Sequence, residues 1–325
     1  MNRRDFSLAA AAALLPAAAL EAHATEASYP DRPLKFVVPF PPGGLTDRIA
    51  RSLAQDMGES MGQPLVVDNR PGAGATIGSD FVARAKPDGY TILLGAHASH
   101  AINLSLMKLP YDPVRSFEPV SLLATVPNML LVRPTFPGSS LRELIAEAKK
   151  HPGKLTYTSA GVGTSGHIAG SMLASMAGIE LLHVPARGPA QAVQDALGGH
   201  VDILFDSTAL SMPLVKTGKL KALAVTSPER SPALPELPTM SEAGLPGYEV
   251  LLWFGLYAPA GTPKAIVQRL HAETVKAFAD PKVRDPLVRD GVDVVASTPL
   301  HLAQFQSSEI TKYAKLIKAL GLEPR

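Results

Sequence analysis

Two stretches of this chain carry residues whose types and spacing suit the capture of an anion. One is Pro39-Phe40-Pro41-Pro42-Gly43-Gly44-Leu45-Thr46-Asp47, and the other is Ser159-Ala160-Gly161-Val162-Gly163-Thr164-Ser165-Gly166-His167. Each follows a short apolar, β-branched run, is rich in glycine and small hydroxyl residues, and opens an amphipathic stretch. A helix starting there presents unpaired N–H groups and partial positive charge to an anion. Glycine lets the anion approach the backbone, and Thr or Ser adds a hydroxyl donor. In open α/β sheets ligands bind outside the carboxyl ends of strands, where both loops would lie. A single loop of this kind is ordinary turn chemistry; two, in separate units, make an anion clamp an equal reading.

Other chemistries fit less well. Gly161-x-Gly163-x-x-Gly166 matches a dinucleotide fingerprint, which calls for an acidic residue at the end of the next strand. Glu180 precedes that strand, and Val184-Pro185-Ala186 at its end offers no carboxylate. The sequence has no Gly-x-Ser-x-Gly elbow and no His-Glu-x-x-His helix. His97 and His100 are three apart but lack a carboxylate at ligand spacing, so a core or solvated pair is the better reading. Asp202 and Asp206 flank the apolar run Ile203-Leu204-Phe205; Asp206 reads equally as a helix cap and as a ligand contact. Trp253 and Phe254 read as core packing near a crossover. No catalytic group, metal or cofactor is expected.

The elements that must position these loops alternate between strand and helix. Leu34–Val38 reads as a strand, followed by a helix from Thr46 or Asp47 with Ile49, Leu53 and Met57 on one face. Leu65–Val67 and Thr91–Leu94 read as further strands, and the helix between them carries Ile77, Phe81 and Ala85 inward. After Val126-Pro127 the rhythm restarts with the strand Met129–Val132. Ser140 and Glu143 then form a capping box for a helix over Leu141–Lys150. The strands Leu155–Ser159, Leu181–Val184, Val201–Phe205 and Ala222–Val225 follow, with helices carrying Ile168, Met172, Leu173 and Met176, and Ala190–Leu197, between them. A proline-rich loop, Pro228–Pro246, leads to a strand over Phe254–Ala258, a helix from Pro263, a strand over Val292–Val295 and a final helix from Pro299. This pattern predicts an α/β fold, with parallel sheets covered by helices on both faces.

Composition narrows the function classes. With 46% hydrophobic and 18% charged residues, the chain can bury a real core, and 325 residues suffice for two ordinary domains or one large one. Its net charge of +2 lacks the basic excess that nucleic-acid binding requires. It has no cysteine, which rules out disulfides, thiolate metal sites and a cysteine nucleophile. Arg3-Arg4, the Ala/Leu run from Leu8 to Leu20 and Ala22-His23-Ala24 read as a signal peptide over residues 1–24. The run is shorter than the roughly 20 residues a spanning helix needs. The arginine pair leaves the twin-arginine and general secretory routes both open.

From about Tyr29 onward the chain resembles one family, the TctC-like, Bug-type periplasmic receptors of tripartite tricarboxylate transporters. The resemblance is carried by VPFPPGGLTD (Val38–Asp47), VDNRPGAG (Val67–Gly74), PDGYTILLG (Pro87–Gly95), LPYDP (Leu109–Pro113) and YTSAGVGTS (Tyr157–Ser165). It continues through GGHVD (Gly198–Asp202), KLKALAVT (Lys219–Thr226), PELPT (Pro235–Thr239) and WFGLYAPAG (Trp253–Gly261). It implies a Venus-flytrap, type II-like fold with two doubly wound lobes, residues 25–126 with 253–325 and residues 127–252. It also implies a small organic carboxylate as ligand, held partly through ordered water, and transporter membrane subunits as partners of a monomeric receptor. Carried onto this chain, the contact positions are Phe40, Gly43, Gly44, Thr46 and Asp47, then Ser159, Gly163, Thr164, Ser165 and His167. Ala98, Ser99 and Asp206 lie nearby. Ala186-Arg187-Gly188 replaces an expected aromatic residue, Ser207 a frequent asparagine and Gly166 a frequent proline. A sensor feeding a membrane kinase and a nucleotide-dependent oxidoreductase are the alternative functions.

Overall fold

The computed structural model describes residues 29–319 and Gly321; the signal peptide expected over residues 1–24 lies outside the described residues. The strands are β1 (Leu34–Val38), β2 (Leu65–Asn69), β3 (Thr91–Ala96), β4 (Phe117–Val132), β5 (Thr156–Ser159), β6 (Leu182–Pro185), β7 (Ile203–Ser207), β8 (Lys221–Val225), β9 (Leu251–Pro259) and β10 (Asp293–Val294). The helices are α1 (Leu45–Met61), α2 (Thr76–Ala83), α3 (Leu141–Lys150), α4 (Ser165–Ala177), α5 (Pro189–Leu197), α6 (Thr208–Lys216), α7 (Lys264–Ala279), α8 (Pro281–Arg289) and α9 (Pro299–Ala319). A π turn, Ala98–Ile102, and one helical turn, Asn103–Leu106, follow β3.

The helices form where apolar spacing and caps coincide. In α1 the stripe Ile49, Leu53 and Met57 is buried with Ala50, Ala54 and Met61, and Gly62 ends the helix at φ 70°. In α3 the Ser140 hydroxyl accepts the Glu143 N–H, while the Glu143 carboxylate accepts the Ser139 N–H and hydroxyl. The expected capping box is therefore stepped back by one residue on its return arm.

Helix α2 departs from expectation. Ile77 is 54% exposed, and Thr76, Ser79 and Val82 face inward with Gly78. A Cβ at Gly78 would lie 2.8 Å from Pro39 Cβ and 3.0 Å from the Arg70 carbonyl. The helix thus docks through its small residues against the loop after β1, which turns Ile77 out.

Strands run in the order β2-β1-β3-β9-β4-β7-β5-β6, with β8 and β10 also paired to β4. The pairs β1/β2, β1/β3, β5/β6 and β5/β7 are parallel, as the strand–helix rhythm requires. All pairs made by β4 and β9 are antiparallel, so the sheet is mixed. The predicted strand Met129–Val132 is the end of one long strand that begins at Phe117. Phe117–Pro127 of β4 pairs with β9, and Asn128–Val132 pairs with β7. This strand crosses from one lobe to the other, and both lobes are doubly wound α/β units.

One core cluster lies in the first lobe, with Phe36, Val38, Ile49, Leu53, Ile92, Leu94 and Phe254, and one in the second, with Met129, Leu131, Leu204 and Met212. A third runs through both lobes, from Val37, Val82, Leu93 and Tyr257 to Tyr157, Ile168, Leu173, Ile203 and Phe205. Each fully buried aliphatic or aromatic side chain contributes about 1.5–3 kcal/mol over leaving it exposed. Among the described residues no helix is long and apolar enough to cross a membrane.

Candidate functional site

The first loop leaves the carboxyl end of β1 and enters α1. Gly43 sits at φ +83°, in the left-handed region, and Gly44 is the helix N-cap with extended backbone. Asp47, 3% exposed, folds the loop over itself. Its Oδ2 accepts the Gly43 N–H at 2.9 Å and Arg51 Nε at 2.8 Å, and its Oδ1 accepts Asn69 Nδ2 at 3.0 Å. Asn69 Nδ2 also donates to the Phe40 carbonyl at 3.1 Å. Burial pushes the Asp47 carboxyl up, but the hydrogen bonds from Arg51, Gly43 and Asn69 and the Arg51 charge outweigh it, bringing its pKa to about 2. The Asp47 carboxylate is thereby occupied within the loop, and Arg51 neutralises it. Phe40 is half-buried against the first-lobe core, Gly43 and Gly44 are exposed, and Thr46 is buried. Among the described residues, the backbone N–H groups of Leu45 and Thr46 have no protein acceptor.

The second loop repeats the design at the carboxyl end of β5. Thr164 caps α4: its hydroxyl accepts the His167 N–H at 3.5 Å and donates to the Gly161 carbonyl at 2.7 Å. Gly163, at φ +81°, donates its N–H to His167 Nδ1 at 3.2 Å. An imidazole nitrogen that accepts carries no proton, so His167 is the neutral Nε2–H tautomer. Ser159 Oγ lies 2.9 Å from His183 Nε2 and accepts the Gly161 N–H at 3.3 Å. The rings of Tyr157, His183 and His167 form one stack, with centroids 4.5 and 4.3 Å apart. Burial lowers the pKa of His167, and burial followed by repulsion from His167 lowers that of His183 to about 4. The N–H groups of Ser165 and Gly166 have no protein acceptor among the described residues.

The two loops have the same physical content: a left-handed glycine, a helix end with free N–H groups, and a side chain four residues on that accepts the glycine N–H. That side chain is Asp47 in one and His167 in the other. Both present a positive dipole end without a free full charge, an arrangement suited to an anion.

The remaining candidates are placed unevenly. Ser99 is fully buried, and its hydroxyl closes its own turn on Ala96 and meets His100 Nδ1 at 2.9 Å. Ala98, beside it, is half-buried. The segment they open reaches the second loop, because a Cβ on Gly163 would lie 3.1 Å from Leu106 Cδ1. Asp206, at the end of β7, accepts the Ser211 hydroxyl at 2.5 Å; Ser207, not Asp206, is the N-cap of α6. Burial raises Asp206 to about 6 against the hydrogen bonds from Ser211 and Ser207. Asp202 lies at the opposite strand end, holding Thr156 and Arg133. His97 and His100 are buried and their pKa values fall to about 4 and about 3 through burial. Among the described residues no group of three His, Asp or Glu could hold a metal.

Sequence reasoning missed Asn69 and His183, and strand register is what reveals them. Val38 pairs with Asn69, and Tyr157 pairs with His183, so each is set beside the strand end from which a loop departs. For Asn69 the available signal was a polar residue closing a strand just before a glycine-rich turn; His183, inside β6, offered none.

The sequence profile of the tripartite tricarboxylate transporter family receptor matches residues 49–322. A protein from the tcbD–tcbE intergenic region of Pseudomonas sp. (strain P51) is 45% identical over 89% of this chain and 87% of its own length. Among solved structures, the periplasmic binding protein BugD is 42% identical, with TM-score 0.79 over 91% of this chain and all (100%) of its own. A Rhodopseudomonas palustris protein solved with adipate is 36% identical, with TM-score 0.82 over 91% of this chain and 100% of its own. MatC from the same organism, solved with bound malate, is 36% identical, with TM-score 0.77 over 89% of this chain and 100% of its own. These structures share the two-lobed binding-protein architecture of the present chain.

Proposed function

The chain belongs to the family of tripartite tricarboxylate transporter receptors, a family of periplasmic binding proteins, and on that premise we propose that it captures a small organic carboxylate between its lobes and delivers it to the membrane subunits of such a transporter. The observation that carries this reading is the pair of matched loops. Each follows a parallel strand and leaves free N–H groups at the start of a long helix, Leu45 and Thr46 in one case and Ser165 and Gly166 in the other. The protein solved with adipate and the one solved with malate support a carboxylate as the ligand class.

In this reading Gly43, Gly44, Thr46, Gly163, Thr164 and Ser165 contact the anion, directly or through water, while Phe40 and Ala98 line the walls. Asp47, Ser159 and His167 hold the loops in shape. Residues 25–126 with 253–325 close on residues 127–252 as rigid bodies about β4 and β9, and ligand shifts the population toward the closed form. The mature protein is exported after cleavage behind Ala24.

Calorimetry with adipate, malate and their methyl esters tests the clamp. Hydrogen bonds to a charged group contribute about 1.5–3 kcal/mol each. Esterifying a carboxylate that two of them hold should therefore cost about 3 kcal/mol, or roughly a hundredfold in affinity. Equal affinity for acid and ester would sink the proposal.

A further inference from the structure

We propose that Asn128, which lies in the crossing strand β4 outside both loops, selects the chemical group that the second lobe receives: its side-chain amide nitrogen donates to an anionic oxygen of the solute. The inference rests on the carboxylate-clamp reading above. Asn128 is 2% exposed. Its register partner is Ser207, at the end of β7, so it sits at the sheet edge from which α4 and α6 both depart. Its backbone is fully used, the N–H donating to Thr226 Oγ1 at 2.8 Å and the carbonyl accepting the Thr226 N–H at 2.9 Å. Its side-chain Oδ1 accepts the Ser165 hydroxyl at 3.3 Å, which sets the amide against the first turn of α4.

The amide nitrogen, by contrast, is buried without an acceptor among the described residues. Buried amide donors are seldom left unpaired, because the desolvated N–H has lost its water and gained nothing. Asn128 could be apolar at no such cost, and the position demands neither a turn nor a cap. The adjacent N–H groups of Ser165 and Gly166 lack acceptors as well. Three donors without partners meet at one helix end, and the group that satisfies all three must only accept. A carboxylate does that with both oxygens; a carboxamide accepts only at its carbonyl and sets its NH2 against the remaining donor, and an ammonium group or a cation does not accept at all. Asn128 thereby turns a general anion site into one that prefers carboxylate to carboxamide, without placing a charge near the ligand.

Asn128→Asp tests this with little change of shape: it keeps an acceptor for Ser165 Oγ and replaces the donor with an anionic oxygen. Succinate and adipate, each with its monoamide, are the calorimetric probes, because a symmetric diacid and its monoamide can each turn either end to the site. The wild type should bind a diacid more tightly than its monoamide. In Asn128→Asp the diacid should weaken by about a hundredfold and the monoamide by less than about tenfold, since the amide end can donate to the new carboxylate. Equal weakening of both would assign Asn128 a purely structural role, and unchanged diacid binding would remove it from the site; either overturns the inference. If the wild type binds neither diacid, nor malate, nor citrate, the clamp reading itself fails, and this inference with it.

A second measurement needs no variant. The chain has only four asparagines, Asn2, Asn69, Asn103 and Asn128, so selective 15N-asparagine labelling gives a sparse side-chain spectrum. The Asn128 pair, assigned through its contacts with Ser165 and Thr226, should shift on saturation with the diacid. A resonance that stays in place while binding is seen by calorimetry would equally overturn the inference.

Discussion

Asn69, at the end of β2, donates to the Asp47 carboxylate at 3.0 Å, joining the first turn of α1 to the neighbouring strand end across the first loop. The same nitrogen holds the Phe40 carbonyl, so one amide and one carboxylate fix both sides of that loop.

Asp47→Asn should therefore destabilise the protein by about 1–3 kcal/mol, because it sets two amide N–H groups against each other and removes a charged acceptor from Gly43 and Arg51. The wild-type carboxyl has a folded pKa of about 2, below the ordinary value. Its contribution is complete above the unfolded pKa and is lost as pH falls through about 2. Urea unfolding should show a constant gap between variant and wild type from pH 8 to pH 5, narrowing below about 4.

The imidazole stack carries a dependence of the same sign, set at higher pH. His183 titrates near 4 in the folded state, and His167 below its ordinary range, both through burial first. A histidine held neutral contributes stability above its unfolded pKa of about 6.5, and that stability is lost as pH falls toward the folded value. Imidazole 15N shifts at pH 6 should show His167 protonated at Nε2 alone. An imidazolium signal from His167 at that pH would contradict the Gly163 hydrogen bond.

Asp206 is a buried acid whose folded pKa is raised to about 6 by desolvation. Its contribution is fully present below the unfolded pKa of about 3.9 and is lost as pH rises through the folded value. Asp206→Asn can still accept the Ser211 hydroxyl and avoids burying a charge. The variant should be more stable than wild type by roughly 1–3 kcal/mol at pH 7.5, with no gain at pH 4. A loss at pH 7.5 would mean that the buried carboxylate is compensated by charge not recognised in the fold.

The packing of α4 explains the glycine at position 166. A Cβ there would lie 2.5 Å from the Phe205 carbonyl oxygen and 3.1 Å from Ser159 Cβ. Backbone cannot rotate away as a flexible side chain can. Gly166→Ala should cost about 1–3 kcal/mol, measured by thermal or urea unfolding, and Gly166→Pro should follow it in sign.

Much of this was legible in the chain. The strand–helix rhythm and the two glycine-rich loops follow from local patterning, and Ile49, Leu53 and Met57 fall on the buried face that their spacing requires. What was not legible depends on partners distant in sequence. Ile77 turns outward because Gly78 must meet Pro39, a contact no window around α2 contains. The return arm of the α3 cap chose Ser139 over Ser140, since two adjacent serines offer equivalent donors. Met129–Val132 reads as a complete strand by itself. Its continuity back to Phe117 depends on β9, which Val126-Pro127 conceals because proline so rarely continues a strand.

That shared strand also governs how the chain must fold. Phe117 finds its ladder partner at Pro259, and Pro127 at Leu251, so the whole second parallel unit is synthesised between the two edges of one pairing. Closing so large a loop costs entropy before any contact repays it, and pairings remote in sequence form slowly. Until β9 arrives, β3 and the first half of β4 each present an unsatisfied edge. A chain that has not yet closed this pairing exposes two strand edges, the feature by which a holding chaperone recognises its client.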